Sequence, residues 1–184
     1  ASTFGKGKGG NLTIDAVDIQ LIGTTKDNRF VSGLFASAQP NSTGDAGNLT
    51  ITTNSLLVKD GAQVLASNFE EGKGGNLTID AVDIQLIGTT KDGQIISGLL
   101  ASSEANSTGD AGNLTITTNS LLAKDGAQVS ASTFGKGKGG NLNIDAVDIQ
   151  LIGTSKDNRF VSGLFASAQP TSTGNAGNLK VDTG

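Results

Sequence analysis

Asp15 and Asp18 lie three positions apart and are the pair of side chains in this sequence best suited to acid–base chemistry. Two carboxylates that face one bond can act as general acid and general base, for example in cleaving a polysaccharide. The pair returns twice, as Asp80 with Asp83 and as Asp145 with Asp148. Because a pair that recurs with every copy of its surroundings is more simply explained as scaffold, we predict that the chain is not an enzyme. A polysaccharide-binding or polysaccharide-cleaving protein is the alternative.

This sequence contains few residues that are suited to binding a metal ion or a cofactor. There is no His and no Cys, which removes the commonest metal ligand and every thiolate site. In the stretch from Gly7 to Asn11, Lys8 stands where a calcium-binding β-roll requires a carboxylate. Asp45 is the only carboxylate between positions 42 and 47, and Asn175 replaces it in a later copy. Since Ca²⁺ prefers several anionic oxygens together, we predict no metal and no cofactor.

Charge and composition bear on two classes of partner. Seventeen acidic residues outnumber thirteen basic ones, for a formal net charge of −4. A nucleic-acid-binding domain would carry a basic patch, so no nucleic acid is expected as a partner. No apolar run approaches the roughly 18 residues of a membrane span, so no membrane insertion is expected either.

The segments that carry these residues are copies of one another. A phrase that begins Gly-Asn-Leu starts at positions 10, 47, 75, 112, 140 and 177, so offsets of 37 and 28 residues alternate. Repeats of 65 residues therefore begin near 10, 75 and 140, each made of a 37-residue and a 28-residue unit. Such periods are typical of solenoids. We predict that residues 1–184 form a single β-solenoid segment, and we expect it to be an excerpt of a longer protein.

Each unit contains short runs in which apolar and polar residues alternate, as they do along β-strands. Three such runs, separated by Gly and Asp corners, make one coil. The predicted fold class is all-β, a right-handed parallel β-helix (β-solenoid) with three short strands per coil and about six coils. In the longer unit, the third strand is predicted to run from Phe30 to Ser37. The predicted inward positions, together with their equivalents in other units, are Leu12, Ile14, Ile19, Leu21, Leu34 and Ala36.

One asparagine recurs at the first corner of every unit, always directly after a glycine. Stacked one coil apart, these side-chain amides are expected to hydrogen-bond to one another along the axis. The preceding glycine is expected to adopt a positive φ angle. The predicted structural ladder consists of Asn11, Asn48, Asn76, Asn113, Asn141 and Asn178.

Two features go beyond what a bare scaffold needs. The first is a stripe of apolar residues predicted to point outward from the third strand, made of Phe35, Leu65, Leu100 and Phe165, with Ser130 as an interruption. Such a stripe is expected to contact a partner, which is either a neighbouring fibre or the inserted loop folding over it. A shifted register that buries these residues is the alternative. The second is a charged loop at the second corner of the longer unit, for which an ordinary solvated loop is the alternative. The candidate contact residues are Lys26, Asp27, Arg29, Phe35, Lys156, Asp157, Arg159 and Phe165.

Outward threonines suggest one further class of function. Thr50 with Thr52, and Thr115 with Thr117, would form pairs on a flat face, as an ice-binding solenoid requires. On the intervening units an aspartate such as Asp15 takes the second position, so the array is interrupted. Ice binding is therefore a second alternative.

Several phrases resemble those of a known family. Gly-Asn-Leu-Thr-Ile, Asp-Gly-Ala-Gln-Val (Asp60 to Val64) and Ala-Ser-Thr-Phe-Gly (Ala131 to Gly135) are similar to repeats of filamentous-haemagglutinin-like exoproteins, which are two-partner-secretion adhesins of Gram-negative bacteria and cyanobacteria. The resemblance implies a right-handed parallel β-helix, export to the cell surface and a role in adhesion. We therefore expect a structural and adhesive segment of a secreted or cell-surface bacterial fibre. The expected partners are other copies of the chain, end to end or side by side, and cell-surface carbohydrate or protein.

Overall fold

The computed structural model describes residues 1–184 and contains eleven β-strands. No helix in it is long and apolar enough to cross a membrane. Long strands alternate with strands of three residues, except that the last strand has four. The strands are β1 (Leu12–Ile22), β2 (Gly33–Phe35), β3 (Leu49–Lys59), β4 (Gln63–Leu65), β5 (Leu77–Ile87), β6 (Gly98–Leu100), β7 (Leu114–Lys124), β8 (Gln128–Ser130), β9 (Leu142–Ile152), β10 (Gly163–Phe165) and β11 (Leu179–Asp182).

The strands form two parallel sheets that run along the same axis. The six long strands pair in the order β1-β3-β5-β7-β9-β11, and the short ones pair in the order β2-β4-β6-β8-β10. Leu49 pairs with Leu12 on one side and with Leu77 on the other, which matches the offsets of 37 and 28 residues. The predicted fold class, an all-β parallel β-helix built from repeated coils, is confirmed. A third column of single parallel bridges joins Thr3, Ala38, Asn68, Ser103, Thr133 and Ala168.

The first two predicted strands of each unit are one continuous strand with a corner inside it. In β3, Leu49, Ile51 and Thr53 are buried, and the buried series then resumes at Leu56, three positions later instead of two. Pairing with β1 skips Asn54, the residue at the apex of this corner. A change of alternation within a strand turns the opposite set of side chains inward.

A buried threonine stabilises this corner. Thr53 is 6% exposed, and its hydroxyl contacts the carbonyl oxygens of Val17 at 2.9 Å and Ser55 at 3.1 Å. Thr118 makes the equivalent contacts two coils further along. Because a buried carbonyl without a partner is costly, a hydroxyl at this inward position compensates for the pairing that is lost at the apex.

The core is a stack of equivalent apolar side chains along the axis. The predicted inward positions are buried in the central coils, where Leu49, Ile51, Leu56, Val58 and Val64 have no exposed surface. In the first coil the equivalents Leu12, Ile14, Ile19, Leu21 and Leu34 are only partly buried, and all of these except Ile14 pack against this core. The alternation therefore predicts the inward face correctly, and burial depends on having a coil on each side.

The glycine before each corner asparagine is needed for a different reason from the one expected. Its φ angle is not positive in any coil. A Cβ atom on Gly47 would lie 1.9 Å from the carbonyl oxygen of Gly10, and one on Gly75 would lie 1.9 Å from that of Gly47. The expectation of positive φ is wrong, because what excludes a side chain here is the backbone of the previous coil.

The third strand of the longer unit is shorter than predicted. Only Gly33–Phe35 pairs in parallel, whereas Val31 forms an antiparallel bridge with Thr24. This bridge closes residues 24–31 into a hairpin-like loop that leaves the coil after Gly23, whose φ is 76°. The same bridge recurs as Thr89 with Ile96 and Thr154 with Val161.

Candidate functional site: outer loops, the third-strand face and an axial groove

Each inserted loop is organised by an aspartate at its tip. In the first loop, the Thr25 hydroxyl donates a hydrogen bond to Asp27 Oδ1 at 2.6 Å, and the backbone N–H of Arg29 donates to the same oxygen at 3.2 Å. These bonds, the one from Thr25 above all, lower the pKa of Asp27 below its usual value. The loop therefore has a defined conformation that is held by its own polar side chains.

Neighbouring loops also contact each other, although one coil without a loop lies between them. The Asn28 side-chain amide donates to Asp92 at 2.6 Å, and Arg159 Nη2 donates to the carbonyl oxygen of Gly93 at 2.6 Å. Equivalent loops are two coils apart, or about 9.6 Å at a spacing of 4.8 Å per coil. The three loops thus form one continuous row along the axis instead of three separate projections.

The charges of the last loop are largely paired within the row. Arg159 Nε lies 2.5 Å from Asp157 Oδ2, and the hydroxyl of Ser155 donates to the same carboxylate. The bond from Ser155 and then the contact with Arg159 lower the pKa of Asp157 to about 2. Lys26 and Lys156, in contrast, are exposed and make no ion pair. Of the predicted contact residues on the loops, these two lysines are the most available to a partner.

The predicted apolar stripe lies in register but is not freely exposed. Phe35, Leu65, Leu100, Ser130 and Phe165 occupy equivalent positions on adjacent short strands. Leu65 is only 8% exposed, and the phenylalanines and Leu100 are half-buried. The stripe is therefore partly covered within the chain.

Two neighbours account for this partial cover. The ring of Phe35 occupies the space that a Cβ atom on Gly33 would need, and the ring of Phe165 does the same at Gly163. The inserted loop leans onto the same face, where the Gln63 side-chain amide donates to the carbonyl oxygen of Ile96 at 3.2 Å. Phe35 and Phe165 therefore lie on the third-strand face, apart from the charged loop tips with which they were grouped.

The corner asparagines form a ladder, but with a donor other than the one expected. The backbone N–H of Asn48 donates to Asn11 Oδ1 at 3.0 Å, and that of Asn76 donates to Asn48 Oδ1 at 2.9 Å. The series continues in the same way to Asn113, Asn141 and Asn178. Each of the first five side chains thus satisfies a backbone donor of the next coil, and no bond joins one side-chain amide to another.

A shallow groove of about 620 Å³ runs along the corner within the long strands. One wall is an alternating row of carboxylates and hydroxyls, and the apex is an alternating row of valines and asparagines. Val17 and Val147 are 68% and 67% exposed there. The row of carboxylates and hydroxyls consists of Asp15, Thr52, Asp80, Thr117 and Asp145.

The corner separates the two aspartates of each repeated pair. Asp80 lines the groove, whereas Asp83 lies past the apex and accepts a hydrogen bond from Gln85 at 2.8 Å. Asp145 and Asp148 are divided in the same way. No group of three or more acidic side chains is close enough to hold a metal ion. The groove is thus a repetitive polar surface with one carboxylate on every second coil.

No protein family, curated protein or solved structure matches this chain. The resemblance to filamentous-haemagglutinin-like exoproteins therefore remains a prediction that rests on the sequence phrases quoted above.

One polar residue of the third-strand face was not predicted from the sequence as a candidate. Glu104 is half-buried, and burial raises its pKa to about 6. The sequence did contain a signal, because the equivalent positions in the other two repeats are both glutamine, Gln39 and Gln169. The signal was the single carboxylate at a position where the other two repeats carry an uncharged amide.

Proposed function

We propose that this chain is a structural and adhesive segment of a secreted or cell-surface bacterial fibre, without catalytic activity. The observation that carries the proposal is the unbroken parallel pairing from β1 to β11, combined with lateral features that return every second coil. Continuous ladders along one axis give a stiff rod, because bending it requires breaking several hydrogen bonds in one coil. Regularly spaced loops give such a rod a repeated lateral surface.

Contact along the axis, with a further coil of the same chain or with another copy, is part of this proposal. β1 and β11 each pair with only one neighbour within the chain. Leu179 and Val181 of β11 are 47% and 42% exposed. Unpaired strand edges with apolar side chains favour pairing with another strand. End-to-end contact with a further coil or a second copy would bury both the edge and these side chains.

The row of inserted loops supports lateral contact. Lys26 and Lys156 are exposed cations on loops whose backbones are held in place by Asp27 and Asp157. A rigid loop loses little conformational entropy on binding. Many weak contacts at a fixed spacing can then combine into firm attachment, to carbohydrate or protein on a cell surface.

Immunogold labelling of the producing cells tests the location. Antibodies against the loop row should label filaments or the outer surface of intact cells. Label that appears only after the cells are permeabilised would overturn the proposal. A matched adhesion assay compares the protein with a Lys26→Ser, Lys156→Ser double variant on surfaces coated with cell-wall polysaccharide or matrix protein. Equal retention of both proteins on every surface would show that Lys26 and Lys156 do not contribute to adhesion.

Polysaccharide binding along the axial groove is a second candidate. The alternating carboxylates and hydroxyls offer acceptors and donors for sugar hydroxyls, and the exposed valines offer apolar contact. Affinity electrophoresis in gels that contain soluble polysaccharide tests this idea. Asp80→Asn should weaken any retardation, whereas Asp83→Asn, on the other side of the corner, should not. Equal behaviour of the two variants would exclude the groove.

A further inference from the structure

A small cleft of about 250 Å³ opens on the third-strand face of the middle coils. It lies between β4, β6 and β8, outside the stacked core and away from both the axial groove and the loop tips. It is distinct from the surfaces used by the proposed fibre function. Its lining consists of Gln63, Leu65, Phe69, Ile96, Leu100, Ser102, Glu104, Gln128, Ser130 and Phe134.

The cleft lies where the repeat departs from its own pattern. Ser130 stands on the short strand where Leu65 stands one repeat earlier. Leu100, its neighbour on β6, replaces the phenylalanine found at positions 35 and 165 in the other repeats. Both replacements shorten a side chain, so together they leave space between two coils that larger residues would fill. The coil before this pair carries Leu65 at the equivalent position, and the coil after it carries Phe165.

A third departure places a carboxylate in this space. Glu104 occupies the position of Gln39 and Gln169 in the other repeats. Its backbone N–H donates to Asn68 O at 2.9 Å, and the N–H of Phe134 donates to Ser103 O at 2.8 Å. These bonds set Phe69, Glu104 and Phe134 at successive one-coil steps, and all three side chains line the cleft. The carboxylate is therefore placed between two aromatic residues.

The carboxylate has no partner within the chain. No hydrogen bond or ion pair reaches the side chain of Glu104, and burial beside apolar residues raises its pKa to about 6. Each of the two glutamines of the cleft donates one N–H to the inserted loop, since Gln63 donates to Ile96 O and Gln128 donates to Val161 O. Their amide oxygens accept no bond within the chain. The cleft thus presents an unpaired carboxylate and two free amide oxygens above an apolar floor.

We propose that this cleft binds a small primary ammonium group carried on a short apolar chain, with Glu104 as its counter-ion. Leu65 and Leu100 contact the apolar chain of the ligand. Phe69 and Phe134 flank the cation, as aromatic rings commonly do around ammonium groups. An ammonium group supplies three donors, which matches the carboxylate and the two amide oxygens of Gln63 and Gln128.

Two substitutions test the proposal without disturbing the coil, because each introduces the residue that the repeat already carries at an equivalent position. Glu104→Gln removes the charge and restores the residue of positions 39 and 169. Ser130→Leu restores the residue of position 65 and fills the cleft. Asp83→Asn, on the far side of the long-strand corner, is the matched control for loss of one negative charge. Circular dichroism of each variant checks that the fold is retained.

The experiment is an NMR titration of the protein with n-butylammonium, with neutral n-butanol as the isosteric control. A second arm uses Nα-acetyl-lysine methylamide, which presents the same cation on a peptide and distinguishes a free amine from a lysine side chain. We expect saturable shifts at Leu100, Glu104 and Phe134 with a Kd in the millimolar range, as befits so small a ligand. We expect binding about tenfold weaker in Glu104→Gln and absent in Ser130→Leu.

Several outcomes would overturn the assignment. These are the absence of saturable shifts in the millimolar range, equal binding of n-butanol, or unchanged binding in Glu104→Gln. A response that Asp83→Asn weakens as much as Glu104→Gln would show general charge attraction and would also overturn it. None of these results bears on whether the chain is part of an adhesive fibre.

Discussion

A side chain on the glycine before a corner asparagine should cost stability only where another coil lies beneath it. Gly112 and Gly10 occupy the same place in the same phrase. A Cβ atom on Gly112 would lie 1.9 Å from Gly75 O, whereas one on Gly10 would meet nothing within 4 Å. Because neither glycine has a positive φ angle, alanine is acceptable to both backbones, and the two substitutions differ only in this contact.

The cost at Gly112 follows from the hydrogen bonds around it. An unstrained contact of carbon with oxygen is about 3.4 Å, so the two coils must separate locally by more than 1 Å. That movement would break three bonds, from Gly74 N to Asp110 O at 2.8 Å, from Leu77 N to Asn113 O at 2.9 Å and from Asn113 N to Asn76 Oδ1 at 3.0 Å. At about 1 kcal/mol per bond, Gly112→Ala should lower the free energy of unfolding by about 3 kcal/mol.

Gly10→Ala should change the free energy of unfolding by less than about 1 kcal/mol, with a tendency to stabilise because alanine restricts the unfolded chain. The assay is urea unfolding followed by circular dichroism, at a protein concentration where sedimentation shows a monomer. A similar midpoint for both variants would refute the close-packing argument. If axial contacts form at higher concentration, Gly10→Ala should weaken them, because a further coil would then cover that position.

Three further predictions concern the core, the pH dependence and the inserted loop. Leu49→Asp should prevent folding because it places an unpaired carboxylate at a fully buried position, whereas Thr50→Asp, whose side chain points outward, should fold; equal loss of the β-sheet circular dichroism signal would refute the face assignment. The pKa of Glu104 is raised to about 6, against 4.5 in the unfolded chain. Its contribution to the free energy of unfolding is therefore favourable below pH 4.5 and is lost as the pH rises through 6. Thermal unfolding should therefore show the wild type losing about 1 to 2 kcal/mol relative to Glu104→Gln between pH 4.5 and pH 7, and parallel pH profiles would contradict this. Deletion of residues 24–27 should remove the Thr24–Val31 bridge but leave β1 paired with β3 and β2 paired with β4. The β-sheet signal should therefore persist, and the free energy of unfolding should change little. Collapse of that signal would show that the loop is part of the coil wall.

The sequence alone predicted the architecture because a parallel stack requires like residues above like. The offsets of 37 and 28 residues equal the register of the paired strands, as in the pairing of Leu12 with Leu49 and of Leu49 with Leu77. The alternation of apolar and polar residues likewise predicted the inward face, since a strand turns successive side chains to opposite sides. Both signals are local or periodic, so they can be read without coordinates.

The tertiary structure alone decided how adjacent coils contact one another. The role of Gly47 depends on the carbonyl oxygen of Gly10, which is 37 residues away, and the bond of Asn48 depends on the position of Asn11 Oδ1. The corner within β3 likewise depends on a contact between segments distant in sequence, the bond from the Thr53 hydroxyl to Val17 O.

The cleft beside Glu104 is the clearest case of this kind. Its departures from the repeat, among them Leu100 and Ser130, lie up to 30 positions apart in the sequence and carry no common motif. Only the register of β6 against β8 brings them to one place, and only burial makes the unpaired carboxylate unusual. Repetition therefore determined the scaffold from sequence, whereas the individual features of the surface depend on which side chains neighbouring coils bring together.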